Sequence, residues 1–432
     1  MRIAIVGGGV SGLIAARQLV RHHQVTIYEA GDRAGGHCHA HRFSQDGHEH
    51  AVELGFFSFY EPAYPHLTRL LKQLRIPTQR VDMSFHHQDA IHNVSCVASM
   101  AQPLMISPAS LARREWRHWM ITLPRLWRCL KRYGDRSRYM TYCLGDMLDE
   151  HRIPERFANL FVFQAIRFAY GLSRKQSMQM PVWFVFDLLE RCDMLRLSRR
   201  RHWRRLTVGS DQYVERLVSP IQENLSLRTP VKEIRRSATG ITIVCEDGTV
   251  SKFDHAVIAT SAEQALRMLV APSTAEQQVL GNIRYQTMNV WLHNDARIVQ
   301  PVPARNISYY LRMQQSRMFG SADDDPFHME IHFDVGHIMN TRQLDNTFVS
   351  CDPVSPPDED EVIGRSSFRH AIIDVPAVKS QSRHSEISGA DRIHYCGAYW
   401  GNGLHDSAIS SGLAVARELD VLSLVPRLSR MC

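Results

Sequence analysis

A glycine-rich turn between an apolar strand and a helix is the feature of this chain that most restricts its fold. The apolar run at residues 2–6 leads into G-G-G-V-S-G at residues 7–12 and then into a stretch with helical apolar periodicity. Such a turn brings backbone N–H groups and a positive helix N-terminus close to a dinucleotide pyrophosphate. We therefore predict that Gly7 makes the turn, Gly9 leaves room for the phosphates, and Gly12 lets the helix pack closely on the strand.

A second apolar run, V-T-I-Y-E at residues 25–29, completes a βαβ pattern. Its last residue, Glu29, stands about where an acid hydrogen-bonds the ribose of a dinucleotide. Because an acid at this position favours a free 2′-hydroxyl, the pattern predicts FAD or NAD rather than NADP. The predicted fold class is therefore α/β, with a Rossmann-like dinucleotide-binding domain.

The segment after the second strand distinguishes between these two cofactors. It reads E-A-G-D-R-A-G-G-H from Glu29 to His37 and resembles the E-x-x-x-R-x-G-G segment of the flavin-containing amine oxidase superfamily, which includes monoamine oxidases, protoporphyrinogen oxidases and carotenoid desaturases. The resemblance implies that Arg33, Gly35 and Gly36 contact the pyrophosphate and ribityl chain of FAD, with His37 beside the flavin. An arginine fork suits phosphate, and glycines let the ring system pass close to the backbone.

Further segments extend this resemblance along the chain. Residues 52–56 are similar to the family's V-D-x-G segment under the flavin, with Glu53 in place of the more usual Asp, and residues 208–213 are similar to its G-G-x-x-x-Y turn. Residues 394–400 and 412–416 resemble the last strand, glycine turn and final helix beside the flavin, where a helix N-terminus stabilises negative charge on the reduced ring. The cofactor contacts predicted from the motif and the resemblance are Gly7, Gly9, Ser11, Gly12, Glu29, Ala30, Arg33, Gly35, Gly36, His37, Gly55, Val231, Thr260, Gly397, His405 and Ala408.

The C-terminal segment is most similar to one bacterial branch of the superfamily. G-A-Y-W-G at residues 397–401 and L-H-D at residues 404–406 resemble proteins called predicted NAD/FAD-binding proteins, which often accompany cyclopropane-fatty-acid-synthase-like enzymes. That resemblance implies acyl chemistry. Classical amine oxidases place a lysine near flavin N5 from the second insertion, whereas this chain has no lysine between Lys252 and Lys379. The omission counts against simple amine oxidation.

The cofactor motifs occur in three separate parts of the chain, which predicts a discontinuous domain. We expect an FAD-binding domain of the glutathione-reductase/amine-oxidase type from residues 1–60, 206–269 and 388–432. Two insertions, residues 61–205 and 270–387, would form an α+β substrate domain over the flavin. With 432 residues and 44% hydrophobic content, the chain is long enough to bury two cores.

Cysteine usage and the absence of targeting signals predict a cytoplasmic protein. Nine cysteines without a C-x-x-C spacing argue against a zinc site and a disulfide framework. The first strand begins at Arg2, so we expect no signal peptide, and no apolar run approaches the length of a membrane span. Alternating histidines at residues 37–50 fit polar positions of a hairpin, so we predict no metal site.

One region of the first insertion is strongly basic and contains tryptophans. Residues 113–138 hold nine Lys or Arg residues interleaved with Trp116, Trp119 and Trp127. This pattern suits an interfacial helix on anionic lipid, or a docking site for an acidic carrier protein. The alternative is a solvated helix face whose tryptophans point into the core. No segment resembles a nucleic-acid-binding module, so we expect no nucleic-acid partner.

Candidate catalytic residues follow the flavin-facing glycine of the C-terminal segment. Tyr399 and Trp400 could wall the substrate pocket and His405 could act as a polar or acid–base group, or all three could simply pack. The aromatic runs at residues 161–163 and 183–186 could line an acyl tunnel or belong to the core.

These observations predict a FAD-dependent oxidoreductase with a hydrophobic substrate. The enzyme would desaturate, oxidise or isomerise a hydrophobic small molecule, including acyl-bearing ones, by hydride transfer to flavin N5. One alternative is an oxidase of amines or of amino-acid-derived substrates. Another is a flavin-loaded binding or assembly protein without turnover, whose cavity would be plugged.

Overall fold

A five-stranded parallel sheet forms the layer that carries the glycine-rich turn. The computed structural model describes residues 1–81, 83–91, 94–99, 114–192, 203–299, 307–315 and 327–428. In spatial order the strands of this sheet are Leu225–Ser226, Gln24–Tyr28, Arg2–Val6, His255–Ile258 and Ile393–Tyr395. The middle strand, Arg2–Val6, is buried at four of its five positions, as expected for a strand covered on both faces.

Helices and a small antiparallel sheet flank this layer. Helix Val10–Leu19 packs against the long C-terminal helix His405–Leu428 and against helix Ser210–Val218. The first of these contacts depends on a missing side chain, because a Cβ on Gly412 would lie 2.3 Å from the carbonyl oxygen of Ser11. The antiparallel sheet consists of Val231–Ser237, Gly240–Cys245 and Val250–Phe253.

The two insertions meet in one seven-stranded sheet. Its spatial order is Val362–Ala371, Tyr285–His293, Phe348–Cys351, Phe327–Asp334, Tyr309–Gln315, Ser84–Asp89 and Val94–Ser99. All neighbours are antiparallel except Ser84–Asp89 and Tyr309–Gln315, which run parallel and join the first insertion to the second. A single sheet therefore draws on both insertions, while the exact domain boundaries stay a prediction.

The remaining elements surround these sheets. The first insertion contributes helices Pro65–Gln73, Arg114–Tyr133, Arg136–Tyr139, Leu144–Glu150, Glu155–Phe157, Gln164–Tyr170, Arg174–Met178 and Val182–Arg191, with a π-helical turn at Ala158–Phe163. Elsewhere lie helices Ala262–Met268, Thr274–Gly281, Val335–Met339, Val375–Ser382 and His384–Ile387, the hairpin Ala40–Gln45 with His48–Glu53, and a small sheet of Phe59–Tyr60, Trp203–Leu206 and Thr78–Arg80. Within the described ranges, no helix combines the length and apolar character that crossing a membrane requires.

Candidate cofactor and substrate site

One cavity of about 1000 Å³ connects the carboxyl ends of the parallel strands with the inserted sheet and helices. Its volume lies at the upper end of the roughly 300–1,000 Å³ common for ligand pockets. The predicted cofactor contacts that line it are Gly7, Gly9, Ser11, Glu29, Ala30, Arg33, Gly35, Gly36, His37, Gly55, Val231, Thr260, Gly397, His405 and Ala408. The structure thus brings together residues that are up to 400 positions apart in sequence. Their contact with FAD stays a prediction.

Gly12 differs from the rest of that set because it does not line the cavity. A Cβ there would lie 2.1 Å from the carbonyl oxygen of Gly7 and 3.0 Å from Cβ of Ala259. Gly12 therefore fits the close packing of the first helix on the sheet that the motif predicts, while its contact with a cofactor stays a prediction.

The start of helix Val10–Leu19 is shaped for an anion. No side chain caps this helix at Gly9, so the first-turn N–H groups have no side-chain acceptor. A Cβ built on Gly9 would meet nothing within 4 Å, which shows open space beside these donors. Gly7 adopts a φ of +108°, which glycine tolerates and other residues rarely adopt. Free N–H groups at a positive helix terminus fit a pyrophosphate.

Glu29 is held in place by two main-chain donors. Its Oε2 accepts from the N–H of Gly8 and its Oε1 from the N–H of Gly31, both at 2.7 Å. Each carboxylate oxygen keeps a second lone pair for a hydroxyl donor. We call Gly7, Gly9 and the start of helix Val10–Leu19 the phosphate cradle. The geometry of Glu29 suits a ribose diol at the edge of this cradle.

Arg33 projects into the same part of the cavity. Its guanidinium donates to the carbonyl oxygen of Cys38 at 3.0 Å and of Gly36 at 3.4 Å. Among the residues that the structure describes, no carboxylate forms an ion pair with it. The carbonyls orient the guanidinium while its charge stays available for a phosphate.

Glu53 and the helix that follows Gly209 are joined by hydrogen bonds next to the cavity. The carboxylate of Glu53 accepts from the N–H of Ser210 and, at 2.7 Å, from its hydroxyl, so it caps helix Ser210–Val218. Burial raises the pKa of Glu53 to about 7, although the bonds from Ser210 oppose this shift. Residues 52–56 and residues 208–213 each resemble the family. The carboxylate of Glu53 joins these two segments.

His405 begins the C-terminal helix and borders the cavity. Its Nε2 lies 3.2 Å from the hydroxyl of Tyr213, its Nδ1 lies 3.9 Å from Sγ of Cys38, and its ring centroid lies 4.6 Å from that of Phe56. Burial lowers the pKa of His405 to about 4, with a smaller contribution from His37. The imidazole is therefore neutral at pH 7, and both nitrogens have partners that orient it.

The two predicted aromatic residues next to Gly397 have different positions. Tyr399 lines the cavity, is 6% exposed, and has a hydroxyl without a hydrogen-bond partner among the described residues. Trp400 does not line it; its ring packs 4.4 Å from that of His384. Of the two alternatives for Trp400, packing is the one that agrees with its ring contacts, while its catalytic role stays a prediction.

Sequence reasoning missed a second histidine beside the cofactor segment. His370 lines the cavity with its ring 5.3 Å from that of His37, and its buried Nδ1 has no partner in the described part of the chain. Burial lowers the pKa of His370 to about 3, with smaller effects from His37 and Arg167. His37 also stacks on Phe368, at 5.3 Å. Strand alternation, which places Phe368 and His370 on one face, was the available signal.

Four rings form an aromatic wall at the other part of the cavity. We define this wall as Phe57, Phe85, Phe168 and Phe333, all of which line the cavity. Phe57 stacks on Phe333 at 3.9 Å, and Phe168 contacts Phe85 at 5.4 Å and Phe333 at 6.2 Å. The charged residues of the described lining, none of which belongs to the wall, are Glu29, Arg33, Lys232, Glu246, Arg267 and Arg369. The wall therefore favours an uncharged, apolar ligand.

The aromatic runs at residues 161–163 and 183–186 do not line the cavity. Val162, Phe163 and Phe184 are buried in the main hydrophobic cluster instead. Of the two alternatives, the core assignment is the one that agrees with the structure. In the described part of the chain, no group of three or more His, Cys, Asp or Glu side chains is arranged to hold a metal ion.

Comparisons with known proteins show the family of the chain. The family model described as flavin containing amine oxidoreductase matches residues 10–293. Flavin-containing amine oxidase A of Bos taurus is 22% identical over 261 residues, which cover 56% of this chain and 46% of that protein. The chain thus spans about half the length of the curated relatives it matches.

Solved structures resemble the chain over almost its whole length. Cyclohexylamine oxidase from Brevibacterium oxydans IH-35A has a TM-score of 0.67 at 14% identity and covers 97% of this chain and 99% of its own. A CLA-producing fatty acid isomerase from P. acnes has a TM-score of 0.66 at 16% identity and covers 96% and 98%. At such identities the likeness shows the fold alone, and it confirms the predicted α/β architecture with a Rossmann-like domain.

Proposed function

The chain belongs to the flavin-containing amine oxidoreductase family, whose cofactor is FAD, and on this basis we propose that it desaturates, oxidises or isomerises an uncharged hydrophobic small molecule, including acyl-bearing ones. The observation that carries the proposal is the uncharged aromatic wall, which shares one cavity with the predicted FAD contacts. Bound FAD supplies an acceptor for the hydride that such reactions remove.

The residues of the wall would hold an apolar substrate and exclude water. An apolar ligand gains free energy by leaving water, and the stacked pair Phe57 and Phe333 offers it a flat surface. His405, which borders the same cavity, has a pKa lowered to about 4 by burial and so adds no charge to it at pH 7. The imidazole of His370, which lines the cavity beside His37, would in this proposal help to position the substrate.

The cavity disfavours the two alternative functions, an amine oxidase and a flavin-loaded protein without turnover. A protonated amine would find no carboxylate on the aromatic wall, and Lys232 is the one lysine among the described lining residues, next to the cofactor contact predicted at Val231. A flavin-loaded protein without turnover would be expected to have a plugged cavity, whereas this cavity extends from the glycine turn to the wall.

Two finer assignments belong to the same proposal. Residues 397–401 and 404–406 support a place in the bacterial branch that accompanies cyclopropane-fatty-acid-synthase-like enzymes. Eight free cysteines in the described part of the chain support a reducing, cytoplasmic location. Fractionation of the source cells tests the second assignment, and recovery of the protein outside the cytoplasmic and inner-membrane fractions contradicts it.

Anaerobic titration of the purified yellow protein tests the proposal. Neutral acyl esters and polyenes, free fatty acids and a panel of amines are added separately, flavin absorbance is followed, and products are analysed by mass spectrometry and NMR. We expect bleaching, or a shifted double bond without bleaching, from neutral apolar compounds alone. Bleaching by amines alone, with peroxide released in air, contradicts the substrate class, and flavin that no compound reduces with no product formed contradicts catalysis.

His370→Gln tests this positioning role separately. We expect the rate of flavin reduction to fall about tenfold, because a displaced substrate is held less well for reaction. FAD content should match the parent, since this imidazole is not in the phosphate cradle. An unchanged reduction rate contradicts the role.

A further inference from the structure

The outer side of helix Arg114–Tyr133 is both apolar and basic. Its inner side is a single stripe of buried residues, Thr122, Leu126, Cys129, Leu130 and Tyr133. On the outer side Ile121 is 71% exposed, Trp127 is 41% exposed and Leu123 is 37% exposed. Trp127 is therefore not turned into the core. The side chains of residues 113–120, including Trp116 and Trp119, lie outside the described part of the chain.

The same outer side carries unneutralised positive charge. Arg125, Arg128, Lys131 and Arg132 are exposed. Among the described residues none of these four forms an ion pair with a carboxylate, and residues 121–133 contain no Asp or Glu. The chain as a whole has a formal net charge of +7 at pH 7. These charges would attract an anionic surface.

We propose that this outer face, defined as Ile121, Leu123, Trp127, Arg125, Arg128, Lys131 and Arg132, binds the surface of an anionic lipid bilayer. The apolar side chains enter the boundary between headgroups and acyl chains, where tryptophan is favoured. The long basic side chains reach to the lipid phosphates. An acidic protein partner would account for the charge, whereas the exposed isoleucine and tryptophan beside that charge favour the interfacial region of a bilayer.

The outer face lies one helix away from the substrate cavity. Helix Arg114–Tyr133 packs on helix Val182–Arg191, and Leu188 of the second helix lines the cavity. Gly134 permits this contact, because a Cβ there would lie 2.4 Å from the ring of Phe186. A bilayer bound at the outer face is therefore near the apolar part of the cavity. The lipid-binding proposal itself does not rest on the proposed function, since binding is measured without substrate.

Sedimentation of the flavin-loaded protein with vesicles tests the proposal. Vesicles of phosphatidylglycerol with phosphatidylcholine are compared with vesicles of phosphatidylcholine alone. We expect at least tenfold stronger partitioning onto the anionic vesicles, weakened by salt. Ile121→Ser with Trp127→Ser should reduce partitioning about tenfold, and Arg125→Gln with Arg128→Gln should do the same.

Matched controls separate this face from general hydrophobicity and charge. Val250→Ser removes an apolar side chain that is 60% exposed on the small antiparallel sheet, and Lys252→Gln removes an exposed charge there; both should bind as the parent does. Thermal unfolding and flavin spectra check that every variant is folded. Absence of binding by the parent overturns the proposal. So does loss of binding in the charge variant alone, which would show electrostatic adsorption without entry of the apolar side chains into the bilayer.

Discussion

The two parts of the cavity are built in contrasting ways. The phosphate cradle is made of main chain, namely an uncapped helix start at Gly9 and a turn at Gly7, and main-chain N–H groups also hold the carboxylate of Glu29 beside it. The aromatic wall is made of side chains from four distant segments, from Phe57 to Phe333. A main-chain cradle requires glycine at particular positions, whereas a wall accepts any large apolar side chain that reaches it. One part therefore leaves a sequence motif and the other leaves none.

The strongest test of this contrast lies within the glycine motif itself. Gly12→Ala should destabilise the fold by roughly 3 kcal/mol or more, because its Cβ would lie 2.1 Å from the carbonyl oxygen of Gly7. Gly9→Ala is the matched control, since its Cβ meets nothing within 4 Å and its φ of −70° suits alanine. Urea unfolding of the two apoproteins measures the difference. The control should fold as the parent does yet retain little FAD; equal stability of both variants contradicts the packing role.

Replacement of the carboxylate tests the nucleotide part without disturbing packing. Glu29→Gln should weaken FAD binding about 10- to 100-fold, which corresponds to the roughly 1.5–3 kcal/mol of a hydrogen bond to a charged group. The amide nitrogen of glutamine also cannot accept from the N–H of Gly8 or Gly31. Titration of the apoprotein with FAD gives the Kd. An unchanged Kd means that Glu29 serves the turn and not the ribose.

A substitution in the aromatic wall should weaken substrate binding and leave FAD binding unchanged. Phe57→Ala removes the ring stacked on Phe333 at 3.9 Å, and we expect the half-saturating concentration of an apolar substrate to rise about tenfold. The Kd for FAD should stay within about twofold of the parent value, because Phe57 is not among the predicted cofactor contacts. Substrate titration and FAD titration of one preparation separate the two effects. A large loss of FAD affinity would show that the two parts are not independent.

Acid sensitivity provides the smallest expected effect. Burial lowers the pKa of His405 from its ordinary 6.5 to about 4, so between these values the unfolded chain binds a proton that the native chain excludes. The free energy of unfolding should therefore fall as pH drops from 6.5 towards 4, with no contribution from this group above that window. His405→Gln should reduce the loss between pH 7 and pH 5 by on the order of 1 kcal/mol, measured by urea unfolding. An unaltered pH dependence would show that the native imidazole titrates normally.

The outer face of helix Arg114–Tyr133 could be predicted from the sequence only in part. The alternation of basic residues and tryptophans over residues 113–138 predicted a surface helix but left open which side its tryptophans take. Exposure of Trp127 decides this for one of the three. The orientation depends on how helix Arg114–Tyr133 packs on helix Val182–Arg191, which no local pattern specifies.

By itself the sequence determined the Rossmann-like architecture and the cofactor class, and it predicted the residues of the phosphate cradle. Glycines in a βαβ turn can be recognised locally, because backbone conformation and close approach exclude other residues. Only the tertiary structure decided that Trp400 leaves the cavity, that His370 enters it, and that an aromatic wall completes it. Those positions follow from long-range packing of strands and helices. The residue type of an apolar side chain or a histidine does not show whether it will be buried in the core or border a ligand.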